Sequence, residues 1–135
     1  MRGKRAFFDT NVLIYAFAAG DRRTEISEAL LAGGGVVGVQ TLNEFVAVAV
    51  RKLAMPWTEV LEALKAIRAL CPSTVPVTIR THEAALRLAG RYGYHIYDAL
   101  VIAAALEASC VMLYSEDMRD GQQIEGLTIR NPFRA

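Results

Sequence analysis

The chain is predicted to be an α/β protein built on a four- to five-stranded parallel sheet, and three observations carry that expectation. Short apolar runs of strand length alternate with longer stretches of helical periodicity. The runs at 6–8, 36–39 and 110–114 have no clear polar face, as strands covered on both sides require. Breaker clusters separate the segments, chiefly Gly33-Gly34-Gly35 and Met55-Pro56-Trp57-Thr58.

In order, the first strand is 6–8 and stops at Asp9, and a helical piece follows over 12–19 until Gly20-Asp21. A second helix covers 23–32, with Ile26, Ala29, Leu30 and Ala32 apolar; the three glycines then end it ahead of strand 36–39. Helix 41–53 places Leu42, Phe45, Val46, Ala49 and Leu53 on one stripe. Pro56 and Thr58 open helix 59–70, with Val60, Leu61, Leu64, Ile67 and Leu70 in its stripe. Strand 75–78 contains Pro76, which cannot donate to a ladder and so argues for a sheet edge. Helix 81–92 ends at Gly93. Helix 97–108 is apolar almost all round, the mark of a helix buried in the middle of the domain. Strands 110–114 and 127–129 complete the sheet. In such a sheet, sites form beyond the carboxyl ends of the strands.

Length and charge narrow the function classes. The 135 residues are expected to form a single domain over 1–135, and 53% hydrophobic content argues against disorder. A net charge of +1 excludes binding to nucleic acid by bulk charge, so any such binding needs a local basic patch. Cys71 and Cys110 lie far apart in apolar contexts and read as core residues of a reducing compartment. The basic start, residues 1–5, and the later Ala16-Phe17-Ala18 resemble a secretory leader, but Asp9, Thr10 and Asn11 interrupt its apolar region. No apolar run approaches the ~18 residues of a membrane span, so the expected location is the cytoplasm and no membrane partner is expected.

The acids carry the chemistry. Asp9, Glu44 and Asp117 each fall just past the end of a different strand. Each also has an ordinary explanation. Asp9 suits a helix N-cap. Thr41-Leu42-Asn43-Glu44 matches a capping box, and Glu44 falls opposite the apolar stripe, near Val48 and Arg51. Ser115 and Asp117 suit a turn, and Glu116 and Asp120 are expected to be solvated. Asp98 is harder to explain. It opens the most apolar helix, where a helix dipole contributes only about 0.3–1 kcal/mol against the cost of burying a charge.

If these acids converge, something must lie between them, since two like charges ~4 Å apart cost about 4 kcal/mol at an effective dielectric near 20. All-oxygen donors without a Cys or His cluster point to Mg²⁺ or Mn²⁺ rather than zinc. Other chemistries lack their residues. No Gly-Lys-Ser/Thr phosphate loop and no Gly-x-Ser-x-Gly elbow is present. His95, one of two histidines, reads as a helix-start packing residue rather than as one of the paired histidines of a metal-free ribonuclease.

Phe8-Asp9-Thr10-Asn11-Val12-Leu13-Ile14-Tyr15-Ala16, Asn43-Glu44, Tyr97-Asp98-Ala99-Leu100 and Tyr114-Ser115-Glu116-Asp117 together resemble the PIN-domain family. Within it they are similar to the VapC-type ribonuclease toxins of toxin–antitoxin pairs. The closing Leu127-Thr128-Ile129-Arg130-Asn131-Pro132-Phe133 fits the same resemblance, which spans essentially the whole chain.

The resemblance implies a PIN-like α/β/α sandwich and a metal-dependent endoribonuclease with catalytic acids Asp9, Glu44, Asp98 and Asp117. Asp9, Asp98 and Asp117 would hold Mg²⁺ or Mn²⁺, Asn11 and Ser115 would support the acids, and Ser115 stands where many relatives have Thr. Cleavage would leave a 5′-phosphate and a 3′-hydroxyl. RNA is the implied substrate, with a small antitoxin protein and a second copy of the chain as partners. Arg22, Arg23, Arg51 and Lys52 are candidates to steer the RNA backbone, or else form a solvated face. Three other readings remain: an RNA-processing nuclease outside any toxin–antitoxin pair, a non-catalytic RNA- or protein-binding module, and a phosphatase with Asp9 as nucleophile. Asn11 stands where a dehalogenase-type phosphatase would need an acid.

Overall fold

The strand that ends at Asp9 lies inside a six-stranded sheet. A computed structural model describes residues 5–134; residues 1–4, which begin the leader-like stretch, and residue 135 lie outside it. The elements are β1 (Ala6–Phe8), α1 (Thr10–Phe17), α2 (Arg22–Ala32), β2 (Val36–Gly38), α3 (Val39–Arg51) and α4 (Trp57–Leu70), then β3 (Ser73–Val75), α5 (Ile79–Tyr92), α6 (Ile96–Glu107), β4 (Met112–Tyr114), β5 (Gln123–Ile124) and β6 (Leu127–Arg130). The sheet order is β3-β2-β1-β4-β6-β5, parallel throughout except for β5 against β6. The predicted α/β class therefore holds, with six strands instead of four or five. The extra strand, β5, has two residues and is too short to carry periodicity.

Successive side chains of a strand point to opposite faces, and β1 shows what that does here. Phe7 packs into a core with Leu88, Ile102, Leu113 and Ile129, beneath α5 and α6. Phe8 packs into the other core with Val12, Leu13, Phe45 and Ile67, beneath α1, α3 and α4. Helix α6 buries Ala99, Val101, Ile102, Ala103, Ala104 and Ala105, as its all-round apolar sequence predicts. Cys71 and Cys110 are buried and unpaired. No helix among the described residues is long and apolar enough to cross a membrane.

Several boundaries move, each for a local reason. Helix α3 begins at Val39 rather than Thr41. Thr41 Oγ1 accepts the Gly38 N–H at 2.9 Å and donates to the Gly38 carbonyl at 2.7 Å, so Thr41 sits inside the first turn. The expected capping box is thus absent, and Glu44 lies too far along α3 to cap it. Helix α4 buries Val60, Ala63 and Ile67, while Leu61 and Leu70 of the expected stripe stay exposed. Strand β3 is an edge strand as expected but stops before Pro76. Gly35 is needed for a close approach, because a Cβ there would meet the Phe8 ring and the Ala6 carbonyl. Gly93 closes α5 at φ 77°, a left-handed position that glycine adopts without strain.

Candidate active site

The register of β1 with β4 builds the centre of the site. Phe8 pairs with Tyr114, and the next backbone step places the Asp9 N–H on the Tyr114 carbonyl at 3.0 Å. Asp9 and Ser115 therefore leave adjacent parallel strands side by side. Ser115, fully buried, donates its hydroxyl to Asp9 Oδ2 at 2.8 Å. Asp9 Oδ1 accepts the Thr10 N–H at 2.7 Å while Asp9 sits at the N-cap of α1, so the capping geometry and the strand-end position coincide in one residue.

Asp9 is only 6% exposed. Burial pushes its carboxyl up to about 6; the bonds from Ser115 and Thr10 oppose that rise, while the Asp98 and Glu44 carboxylates add to it. Each of its oxygens accepts a hydrogen bond, Oδ1 from the Thr10 N–H and Oδ2 from Ser115.

The other acids are arranged around it more loosely. Glu44 Oε1 accepts from Thr10 Oγ1 at 3.1 Å, which ties α3 to the start of α1. Asp117 is exposed; its Oδ2 accepts from Asn11 Nδ2 at 3.0 Å, and its N–H reaches Ser115 Oγ at 3.3 Å. Ser115 thus accepts from one acid's backbone while donating to another acid's side chain. Asp98, half-buried in the first turn of α6, has its carboxyl raised by burial and by Asp117, with His95 acting the other way. His95 is the N-cap of α6 and stacks on Tyr97 with ring centroids 5.8 Å apart.

Thr10, Asn11, Glu44, Val48, Lys52 and Asp117 line a common cleft. Among the described residues, however, no three His, Cys, Asp or Glu side chains stand close enough to enclose a metal ion as they are. The donors suit a hard divalent cation by chemistry, being carboxylate oxygens with the buried Asp9 at their centre. Enclosing one requires the outer acids to move inward.

Sequence reasoning missed two residues and misjudged two more. Thr10 positions Glu44 and Tyr15 donates to Glu116, though both stand in the motif around Asp9. Glu116 is not simply solvated: its carboxylate binds Tyr15 at 2.7 Å and Arg23 at 3.2 Å. Asp120, though at the surface, accepts the Asn131 N–H at 2.8 Å and anchors the closing segment. Of the four candidate cations, Lys52 lines the cleft and Arg51 lies exposed at the end of α3. Arg22 bonds the Phe133 carbonyl, and Arg23 is shared between Asp21 and Glu116.

The fold is similar to several solved structures. VapC20 of Mycobacterium tuberculosis, described as a sarcin–ricin loop cleaving toxin, matches at TM-score 0.65 and 20% identity, over 83% of this chain and 89% of that one. A toxin–antitoxin complex from Klebsiella pneumoniae contains a chain matching at TM-score 0.71 and 22% identity, over 96% and 99%. VapBC2 of Rickettsia felis, bound to a fragment of promoter DNA, contains one at TM-score 0.65 and 15% identity, over 93% and 96%. None of the curated proteins matches the sequence. The PIN domain profile matches residues 6–121, from β1 into the loop that carries Asp117. The chain belongs to the PIN domain family.

Proposed function

We propose that the protein is a metal-dependent endoribonuclease and the toxin of a toxin–antitoxin pair. The observation that carries this reading is Asp9: a buried carboxylate at the end of a central strand, raised to about 6 by burial, with Asp98 and Glu44 near enough to raise it further. An acid with only a capping role has no need of acidic neighbours. Family membership supports the nuclease, and the solved relatives that are toxins or toxin–antitoxin complexes support the biological setting.

In this reading Asp9, Asp98 and Asp117 hold Mg²⁺ or Mn²⁺, with Asp9 as the fixed point. An ion held there would supply Lewis acidity toward a phosphodiester and lower the pKa of a water. Ser115 and the Thr10 N–H fix both Asp9 oxygens, so one member of the set is preorganised. Glu44, steadied by Thr10 but not buried, is placed to take up a proton or to complete the ligand set through water. Lys52 at the cleft and the exposed Arg51 contact flanking phosphates, and Arg22 flanks them from α2.

The antitoxin is a proposed partner, and a groove between α3 and α4 suits an amphipathic segment of it. Leu42, Val46, Leu61 and Leu64 form the apolar floor, and Lys65 and Arg68 supply cations. A second copy is proposed on α5, where Ile79 and Leu86, two helical turns apart, are left exposed. The two unpaired cysteines suit a reducing cytoplasm.

The test is incubation of the purified protein with structured and single-stranded RNA in Mg²⁺ or Mn²⁺. Internal cleavage that stops with chelator and returns with metal is the expected result. Intact RNA across both metal titrations, with RNA still bound, would replace the nuclease with a binding module.

A further inference from the structure

A second set of side chains, of which Tyr15 and Glu116 line one side of the cleft, joins α1, α2 and the loop after β4. Tyr15 lies four residues after Asn11 on α1, so the two share a helix face. Tyr15 Oη donates to Glu116 Oε1 at 2.7 Å and accepts from Arg23 Nη1 at 2.9 Å. The same Arg23 nitrogen reaches Glu116 Oε2 at 3.2 Å, so both carboxylate oxygens are taken. The guanidinium also lies over the Tyr15 ring, 4.6 Å from its centroid, and the Phe133 ring meets that ring edge-on at 5.1 Å. Burial, reinforced by the Glu116 carboxylate, pushes the Tyr15 hydroxyl up to about 12, which keeps it a donor at any working pH.

The backbone of the same loop is held by Asn11. The Glu116 N–H donates to Asn11 Oδ1 at 3.4 Å, and Asn11 Nδ2 donates to the Asp117 carboxylate at 3.0 Å. The Glu116–Asp117 stretch is thus held through the Glu116 side chain on one side and, through the Glu116 N–H and the Asp117 carboxylate, by Asn11 on the other. Arg23 is 40% exposed and Glu116 27%. Ion pairs so open to water contribute little to folding, so the effect of this set is on position.

We infer that Tyr15, Arg23 and Glu116 are positioning residues, a brace that fixes the Glu116–Asp117 stretch and thereby sets where Asn11 holds the Asp117 carboxylate. Its consequence for catalysis rests on the ribonuclease reading above; its geometry does not. The brace also gives Arg23 a task other than gripping RNA.

The experiment compares the whole wild-type protein with Tyr15→Phe, Glu116→Gln, Arg23→Gln and Arg23→Lys. Asp21→Asn serves as control, since Asn keeps the α2 cap and Asp21 meets Arg23 through its other guanidinium nitrogen, Nη2. Three quantities are read: the NMR signal of the Asn11 side-chain amide in the metal-free protein, Mn²⁺ affinity without RNA, and kcat and KM for RNA cleavage.

The Asn11 amide should shift in Tyr15→Phe and Glu116→Gln, with Mn²⁺ affinity and kcat falling about tenfold, the scale seen for residues that orient metal ligands. KM for RNA should hold, Arg23→Lys should recover part of the Arg23→Gln loss, and Asp21→Asn should match wild type. An unmoved Asn11 amide with unchanged Mn²⁺ affinity in folded variants would overturn the brace. So would Arg23→Gln raising KM alone, which would place that arginine on the RNA. If the wild type neither binds Mn²⁺ nor cuts RNA, the ribonuclease reading fails, and the Asn11 amide still decides the brace.

Discussion

The two halves of the acid set are built differently. The inner half is Asp9 with Ser115: 6% and 0% exposed, on adjacent central strands, with both carboxylate oxygens engaged. The outer half is Glu44, Asp98 and Asp117, on α3, on α6 and in the loop after β4, all at least partly open to water. Glu44 and Asp117 are each steadied by a single side-chain partner, Thr10 and Asn11. The inner acid bears the larger cost of desolvation and is fixed on both oxygens; of the outer acids Asp98 is also raised by burial, while Asp117 is exposed. Among the described residues no ready-made cluster of three ligands is present, so a metal ion held there would need the second group to move toward the first.

That contrast predicts unequal effects of mutation. Asp9→Asn should lower metal-dependent RNA cleavage by at least ~10³-fold, equivalent to about 4 kcal/mol of barrier. A folded, fully active variant in a single-turnover assay would remove Asp9 from the centre of the account. Ser115→Ala should cost roughly 10–100-fold in activity, as loss of a residue that orients a ligand does. It should also raise the Asp9 pKa further, because the serine bond opposes the burial effect; NMR titration of the carboxyl carbon reads that directly.

The inner acid also sets a pH dependence. Asp9 titrates at about 6 in the folded protein against an ordinary 3.8, so the folded state holds that proton more tightly than the unfolded one. Its contribution is fully present below pH 3.8 and is lost as pH rises through 6, a fall of about 3 kcal/mol for the metal-free protein. Denaturant melts between pH 4 and 7 should show that fall in wild type and a flattened profile in Asp9→Asn. The smallest effect belongs to the outer half. Thr10→Val releases Glu44 and should cost only roughly threefold in kcat, about the value of one ordinary hydrogen bond. A loss as large as that of Ser115→Ala would erase the distinction between the halves.

The same contrast explains what was legible in the sequence. β1 ending at Asp9 and the apolar helix behind Asp98 rest on local patterns, and both elements were readable. Glu44 was obscured because Thr41 and Glu44 have capping-box spacing, whereas the structure starts α3 two residues earlier and leaves Glu44 pointing to the cleft. The convergence of Asp98 on Asp9 depends on α6 folding back against the sheet. No local period encodes that, and only the family resemblance supplied it. The brace of Tyr15, Arg23 and Glu116 was missed for a related reason. It joins residues about 100 positions apart, and each alone looks like an ordinary surface side chain.

The central claim is that the buried charge on Asp9 is the fixed point of a divalent-metal site. Mn²⁺ titrated into metal-free wild type and Asp9→Asn, followed by electron paramagnetic resonance with no RNA present, tests it most directly. Saturable binding in the wild type that disappears in a folded Asp9→Asn variant is the predicted result. Equal binding by the two proteins, or none by the wild type, would contradict it.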